Sequence, residues 1–392
     1  MTAKNNIPAG YKDSAVGIIP QEWKVKRLGA CFSIGHGRDY KHLPNGDIPV
    51  YGTGGIMCYV GSFLHNGETV CIGRKGTINK PFYYNGPIWT VDTLFYTHNF
   101  QSVLPRYVGY LFDSIDWMRY NEATSVPSLT AKTISNIKKA VPPIEEQRKI
   151  AEILGVWDKA IEKQSRLIEK LELRKRGLMQ RLLTGRTRLP GFTTPWQKVK
   201  FGEICKRVTR RNEENNQNVM TISAQKGFVS QTDFFNKSVA SSTLDNYYLV
   251  LKDEFCYNKS YSNGYPMGAI KRLKEADKAV VTTLYICFSI TDKQKLSIDF
   301  FEQYCENGEF NQGLMKIANE GGRAHGLLNV TPTDFFSLVM LLPTLPEQKA
   351  IAEVLTTADN EIATHRKKLD ALRLQKRGLM QQLLTGKTRV KI

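Results

Sequence analysis

The side chains of this chain best suited to chemistry are cations, amides and hydroxyls gathered in short polar turns. His36-Gly-Arg38-Asp-Tyr40-Lys41 forms one group, and Gly73-Arg74-Lys75-Gly-Thr77 with Lys80 forms a second. Gln225-Lys226 and Asn258-Lys259-Ser260-Tyr261-Ser-Asn263 form two more. Arg, Lys, Asn, Gln and Ser/Thr are the types that hydrogen-bond base edges in a major groove, while neighbouring cations neutralise phosphates. The chemistry they offer is recognition of a polyanion; the alternative at each position is an ordinary polar hairpin. Signatures of bond-making chemistry are missing. No Asn/Asp-Pro-Pro-Tyr/Phe run for methyl transfer to adenine occurs, and Pro142-Pro143 lacks both its acid and its aromatic. There is no Gly-x-x-x-x-Gly-Lys-Ser/Thr phosphate loop, and Gly52-Thr-Gly-Gly55 lies between strand-like runs, where it reads as a turn. The six histidines and seven cysteines show neither zinc-ligand spacing nor a disulfide framework. No cofactor is expected.

The overall charge agrees with a polyanionic partner. The formal net charge is +18 and the pI near 9.5, a field that attracts nucleic acid. At 392 residues and 41% hydrophobic content, the chain suits two to four soluble domains. No stretch approaches the roughly 18–20 apolar residues of a membrane span, and the N-terminus lacks the apolar region of a signal peptide. A cytoplasmic protein without a membrane partner is expected.

The elements that must carry these turns are announced by a duplication. Lys175-Arg-Gly-Leu-Met-Gln-Arg-Leu-Leu-Thr-Gly-Arg-Thr-Arg188 returns as Lys376-Arg-Gly-Leu-Met-Gln-Gln-Leu-Leu-Thr-Gly-Lys-Thr-Arg389, 201 positions later. The match runs upstream through Glu146-Gln147 and Glu347-Gln348. In the first copy Ile150, Leu154, Trp157, Ile161, Gln164, Ile168, Leu171, Lys175, Leu178 and Leu182 step by four and three alternately; in the second the positions are Ile351, Leu355, Ala358, Ile362, His365, Leu369, Leu372, Lys376, Leu379 and Leu383. That spacing is the seam of a coiled coil. Prolines and acids mark the starts, and Gly185 and Gly386 the ends. Each helix is predicted at about 40 residues, about 60 Å.

No third segment shares the period, so the simplest partner for each helix is the other, antiparallel about a pseudo-two-fold axis. Gln164 and His365 are expected near that axis, as a polar layer or at the seam's edge. Gly177 and Gly378, inside otherwise good helices, predict close approach by another backbone, such as a partner subunit's.

The segments before each helix are rich in Tyr, Phe, Thr and Val. Runs such as Ile48–Tyr51, Thr69–Ile72 and Val280–Phe288 predict short strands in a curved sheet, with one helix per module near Pro105–Tyr120 and Ile298–Ala318. The modules begin alike (Trp23 with Gly29, Trp196 with Gly202) and end alike (Ser128-Leu-Thr130, Asn329-Val-Thr331), while their interiors diverge. One architecture with two different readers is the expectation.

In the order of these motifs the chain resembles the specificity subunit of a Type I restriction-modification system. The resemblance rests on Val16-Gly-Ile-Ile-Pro-Gln-Glu-Trp23, on Pro142-Pro-Ile-Glu-Glu-Gln147 and Leu345-Pro-Glu-Gln348 with the Ile-Ala-Glu that follows each, and on both copies of Arg-Gly-Leu-Met-Gln. The Gly73-Arg74-Lys75-Gly76 turn is also similar to a recurrent turn of that family. The resemblance implies an α+β protein with two target recognition domains (1–141 and 190–342) and two conserved spacer helices (142–189 and 343–392) in an antiparallel coiled coil. It implies a non-catalytic subunit that binds double-stranded DNA at a bipartite target and docks two methyltransferase subunits, which use S-adenosylmethionine; the assembly can add ATP-dependent restriction subunits. A specificity subunit of a Type IIB-like system, a self-contained DNA-modifying enzyme and a pure assembly scaffold are the alternatives. On the first reading, inserting four residues into one helix adds about 6 Å, close to two base pairs, and is expected to widen only the gap between half-sites.

Overall fold

A computed structural model describes residues 7–231, 244–320 and 326–392. The two repeats fold as long helices, Ile144–Leu182 and Leu345–Leu384, of 39 and 40 residues. The first starts directly after Pro142-Pro143 and the second carries Pro346 at its second position, where a missing N–H costs nothing. Both end before a glycine in the left-handed region, Gly185 (φ 70°) and Gly386 (φ 72°).

The chain divides into two compact units, 1–166 with 367–392, and 167–366. The cuts fall within the helices, so each unit holds one module, half of one helix and the opposite half of the other.

In the first unit a six-stranded sheet runs in the order Ser33–His36, Leu94–His98, His65–Gly73, Phe82–Thr90, Asn45–Gly52, Gly55–Val60. Its pairs are antiparallel except Asn45–Gly52 with Phe82–Thr90, which meet in parallel at Val50 and Trp89. The leading strand Lys24–Arg27 pairs with the closing strand Lys138–Val141. Trp23, Phe32, Phe95, Tyr107, Phe112 and Trp117 make the core, and Ile150 and Leu154 from the first helix join Met380, Leu383 and Leu384 from the second in sealing it.

The second unit is built on the same plan with a different interior. A four-stranded sheet runs Cys205–Arg207, Ile286–Ile290, Phe255–Asn258, Ala269–Arg272. Two separate antiparallel pairs, Met220–Ser223 with Gly227–Ser230 and Tyr248–Leu251 with Lys278–Val281, complete it. Gln197–Lys200 pairs with Val339–Leu342, as the leading and closing strands of the first module do. Its core gathers Phe201, Phe255, Tyr257, Phe288, Phe301 and Phe335 against Met179, Leu182 and Leu183 of one helix and Ile351, Ala352 and Leu355 of the other.

Two expectations need amendment. The run Val280–Phe288 is two strands separated by a turn at 282–285, because Val281 ends one pair and Ile286 begins another. The helices of the modules are shorter than expected: Pro105–Asp113 is followed by a 3-10 turn at Trp117–Tyr120, and Ile298–Glu306 is separate from Asn311–Ile317. Among the described residues nothing lies within 4 Å of a Cβ placed on Gly378, and only the Arg181 guanidinium, at 4.0 Å, near Gly177, so both glycines leave their helix surface open to an approaching backbone.

Within each unit the helix halves run in opposite directions. Asp158 bonds Lys376 (2.5 Å) and Glu146 bonds Arg389 (2.8 Å) in the first unit, one number rising as the other falls. In the second, Lys175 bonds Asp359 (2.6 Å), Arg366 bonds Glu172 (2.5 Å) and Arg174 pairs with Glu361. Ile150, Leu154, Gln164, Ile168, Leu171, Leu182, Ile351, Leu355, Ile362, Leu369 and Leu383 are buried, whereas Trp157, Ile161, Leu178, His365, Leu372 and Leu379 are half-buried. At the helix ends burial passes from Leu178 to Met179 and from Leu379 to Met380, because a 3.6-residue turn drifts off a 3.5-residue pattern. Leu154→Ala is therefore expected to cost about 2–5 kcal/mol, and Leu178→Ala roughly 1 kcal/mol or less, in denaturant titrations.

Candidate nucleic-acid interface

Four stretches of the first module converge at one end of its sheet. The backbone N–H groups of Arg74 and Lys75 both donate to Thr93 O (2.8 and 3.3 Å), and Gly76 N donates to Pro127 O (2.8 Å), which moors the basic turn. Gly37 N donates to Leu94 O and Arg38 N to Thr90 O (3.2 and 2.8 Å), laying the loop that starts at His36 alongside. A side chain at Gly37 would collide with the carbonyl of Val91, so the loop can follow the sheet this closely only with glycine there. The tip of the Asn45–Val60 hairpin reaches the same place: Thr53 Oγ1 is 3.5 Å from the Cβ position of Gly76.

Arg38, Lys41, Arg74, Lys75 and Lys80 are exposed on this end, and Thr77 is half-buried. The exposed Arg74 guanidinium donates to Asp92 O at 3.3 Å, a long bond that it can exchange for a ligand. Tyr40 differs from the others: its ring packs against the small core of Val50, Val60, Trp89 and Val91, so its contribution is to hold the loop. Trp89 Nε1 donates to Arg38 O (3.0 Å) and fixes the loop from beneath.

The second module brings its candidates together too. Gln225 Nε2 donates to Asn263 O (3.0 Å) and Asn258 Nδ2 to Ile222 O (3.1 Å), joining the 224–226 turn to the 258–265 segment. Lys226 and Tyr261 are exposed, Lys259 and Ser260 half-buried. Asn258 is committed on both sides, since its Oδ1 accepts from Ser260 N (3.0 Å). Burial, with help from the Arg207 charge, pushes the Lys259 ammonium below its ordinary value.

The duplicated Glu-Gln pair was legible as a helix start, but its work is larger. Glu146 and Gln147, like Glu347 and Gln348, are 0% exposed. Gln147 accepts from Leu104 N (2.8 Å) and donates to Ser102 O and Pro142 O (3.1 and 2.9 Å). Gln348 repeats this with Ser297 N, Lys295 O and Pro343 O (2.8, 2.8 and 2.9 Å). Each glutamine thereby stitches its helix start to the loop before the module's own helix. Each glutamate takes an arginine from the other repeat: Arg389 bonds Glu146 (2.8 and 3.1 Å), and Arg188 bonds Glu347 (2.5 and 2.7 Å). Hydrogen bonds to those carboxylates hold both guanidinium groups above their ordinary value. The exchange follows from antiparallel pairing, which places the end of one repeat at the start of the other. The signal in the sequence was the recurrence of Glu, Gln and the closing Arg at the same offset.

Among the described residues no group of three or more His, Cys, Asp or Glu could hold a metal ion, and no helix is long and apolar enough to cross a membrane.

Comparisons with known proteins agree on one relationship. Residues 20–173 match the model of the Type I restriction modification DNA specificity domain. The Type I restriction enzyme MjaVIII specificity subunit of Methanocaldococcus jannaschii is 27% identical over 303 residues, 69% of this chain and 66% of that protein. The putative MjaX specificity subunit of the same organism is 26% identical over 356 residues, 82% of this chain and 77% of that protein. Among solved structures, the Type I restriction-modification S subunit from M. genitalium shares the fold over 98% of both chains, with a TM-score of 0.59 at 14% identity. A chain from a study of assembly and conformational transition of the type I R-M system covers 94% of this chain and 99% of its own, with a TM-score of 0.54 at 15% identity.

Proposed function

With the chain a member of the Type I restriction-modification specificity family, we propose that it is the DNA-reading subunit of such a complex, each module recognising one half of a split target. It scaffolds two methyltransferase subunits, accepts ATP-dependent restriction subunits, acts in the cytoplasm and performs no chemistry itself. The observation that carries this reading is the duplicated architecture: two modules of one plan and unlike interiors, each tied to paired helix halves by the same exchanged clamp. Two different readers built on one repeated plan are what a bipartite target requires.

The test is co-expression with the methyltransferase partner, followed by genome-wide mapping of modified adenines. A split motif with a fixed gap is the expected result. A continuous motif, or methyl transfer by the purified chain alone, would overturn the reading.

Arg74→Ala and Lys75→Ala provide a second measurement, on the complex with its methyltransferase. Each is expected to flatten the slope of log Kd against log salt by about 1, because each removes one phosphate contact. An unchanged slope in both variants would place this turn away from the duplex.

A further inference from the structure

Side-chain alternation fails on the edge strand Gly55–Val60 of the first module. Val50 faces Cys58 and Tyr51 faces Ile56, which leaves Met57 as an extra residue, a β-bulge. Ile56 and Met57 consequently both face solvent, 49% and 56% exposed, and Tyr59 and Phe63 follow at 51% each. Natural edge strands carry charges, prolines or a covering segment, since bare apolar edges associate. This one carries three large apolar groups, with Phe63 just beyond its end. They cannot be tucked under, because the hairpin's other face is already committed to the core of Val50, Val60, Trp89 and Val91.

The position of the ribbon indicates what covers it. Thr53 at its tip lies 3.5 Å from the Cβ position of Gly76, Val91 N donates to Tyr51 O (3.0 Å) and Arg38 N donates to Thr90 O (2.8 Å), so the ribbon and the turns that carry Arg38, Arg74 and Lys75 share one end of the sheet. An apolar ribbon with cationic turns at the same end complements a duplex, whose phosphates flank a groove wide enough for two β-strands. The apolar feature of that groove's base edges is the thymine methyl group.

Building on the DNA-reading role proposed above, we propose that the hairpin Asn45–Val60 enters the major groove of the half-site belonging to the first module, and that Ile56, Met57 and Tyr59 read thymine methyl groups there. The bulge at Met57 is the device that turns two consecutive side chains toward the bases. The flanking cations hold the backbone and supply affinity without sequence preference.

The experiment uses the complex with its methyltransferase and the mapped target, with thymines of that half-site replaced by deoxyuridine. Wild-type affinity is expected to fall about fourfold for each methyl group lost from an apolar contact, by the value of one buried carbon. The variant Ile56→Ser/Met57→Ser/Tyr59→Ser is expected to bind both duplexes alike, with the salt slope of the wild type, since no phosphate contact is removed. Met57→Leu, which preserves the apolar volume, is expected to keep the discrimination. Full discrimination in the triple variant would overturn the inference. So would a variant that binds DNA as the wild type does but no longer assembles with the methyltransferase, and so would a half-site without A·T pairs. A complex that binds no split target at all would instead sink the DNA-reading role itself.

Discussion

Gln147→Ala lowers the stability of the first unit by about 3 kcal/mol, an expectation that follows from what the side chain leaves behind. Three backbone groups, the buried Pro142 O and the part-buried Leu104 N and Ser102 O, lose their partner at once. Each orphaned group costs about 1–3 kcal/mol, and relaxation recovers part of the sum. Gln348→Ala is expected to do the same to the second unit through Ser297 N, Lys295 O and Pro343 O. Hydrogen exchange separates the two: protection in Pro105–Asp113 falls in the first variant and protection in Ile298–Glu306 falls in the second. Equal loss in both segments for either variant would contradict a local stitch.

The glutamates beside them are clamped unequally. Glu146 accepts Trp23 Nε1 (2.8 Å) as well as Arg389, so truncating the arginine leaves it one donor. The counterpart indole, Trp196, has a buried Nε1 without a partner among the described residues and lies under the Arg188 guanidinium, 5.8 Å from its ring. Glu347 therefore depends on Arg188 more heavily than Glu146 depends on Arg389. The duplication preserved the ion pair and the aromatic residue and lost one hydrogen bond.

What could be read from the sequence was whatever repeats or has a period. The seam positions came from a 3.5-residue step, and the order of modules and helices from one fixed offset. The passage of burial to Met179 and Met380 does not show in a strict 3.5-residue step, because it is the drift of a 3.6-residue turn that carries these two side chains into the module cores. The basic turns could be recognised by composition, yet Tyr40 shows the limit: the same polar-turn signal covers a side chain that packs against Trp89 and one such as Arg74 that reaches solvent. The apolar ribbon carried no signal at all. A one-residue bulge reverses which side chains face out, and nothing in Gly55–Val60 announces it.

A heptad inserted into both helices is expected to lengthen the gap between half-sites by about three base pairs, because seven residues rise about 10.5 Å and a base pair about 3.4 Å. The four-residue insertion into one helix, suggested by the sequence, meets an obstacle in the ion pairs. Asp158 to Lys175 in the first helix and Asp359 to Lys376 in the second are segments of equal length bounded by the pairs Asp158–Lys376 and Lys175–Asp359. Extra residues in only one segment must be expelled as a bulge or must break a pair, and four residues also rotate the seam by about 40°. Seven residues in each, added at Gln164 and His365, keep both pairs and return the seam nearly to its starting face. Mapping of modified adenines would read the result directly. An unchanged gap with the paired heptads, or a clean two-base-pair increase from the single four-residue insertion, would show that these ion pairs do not set the spacing.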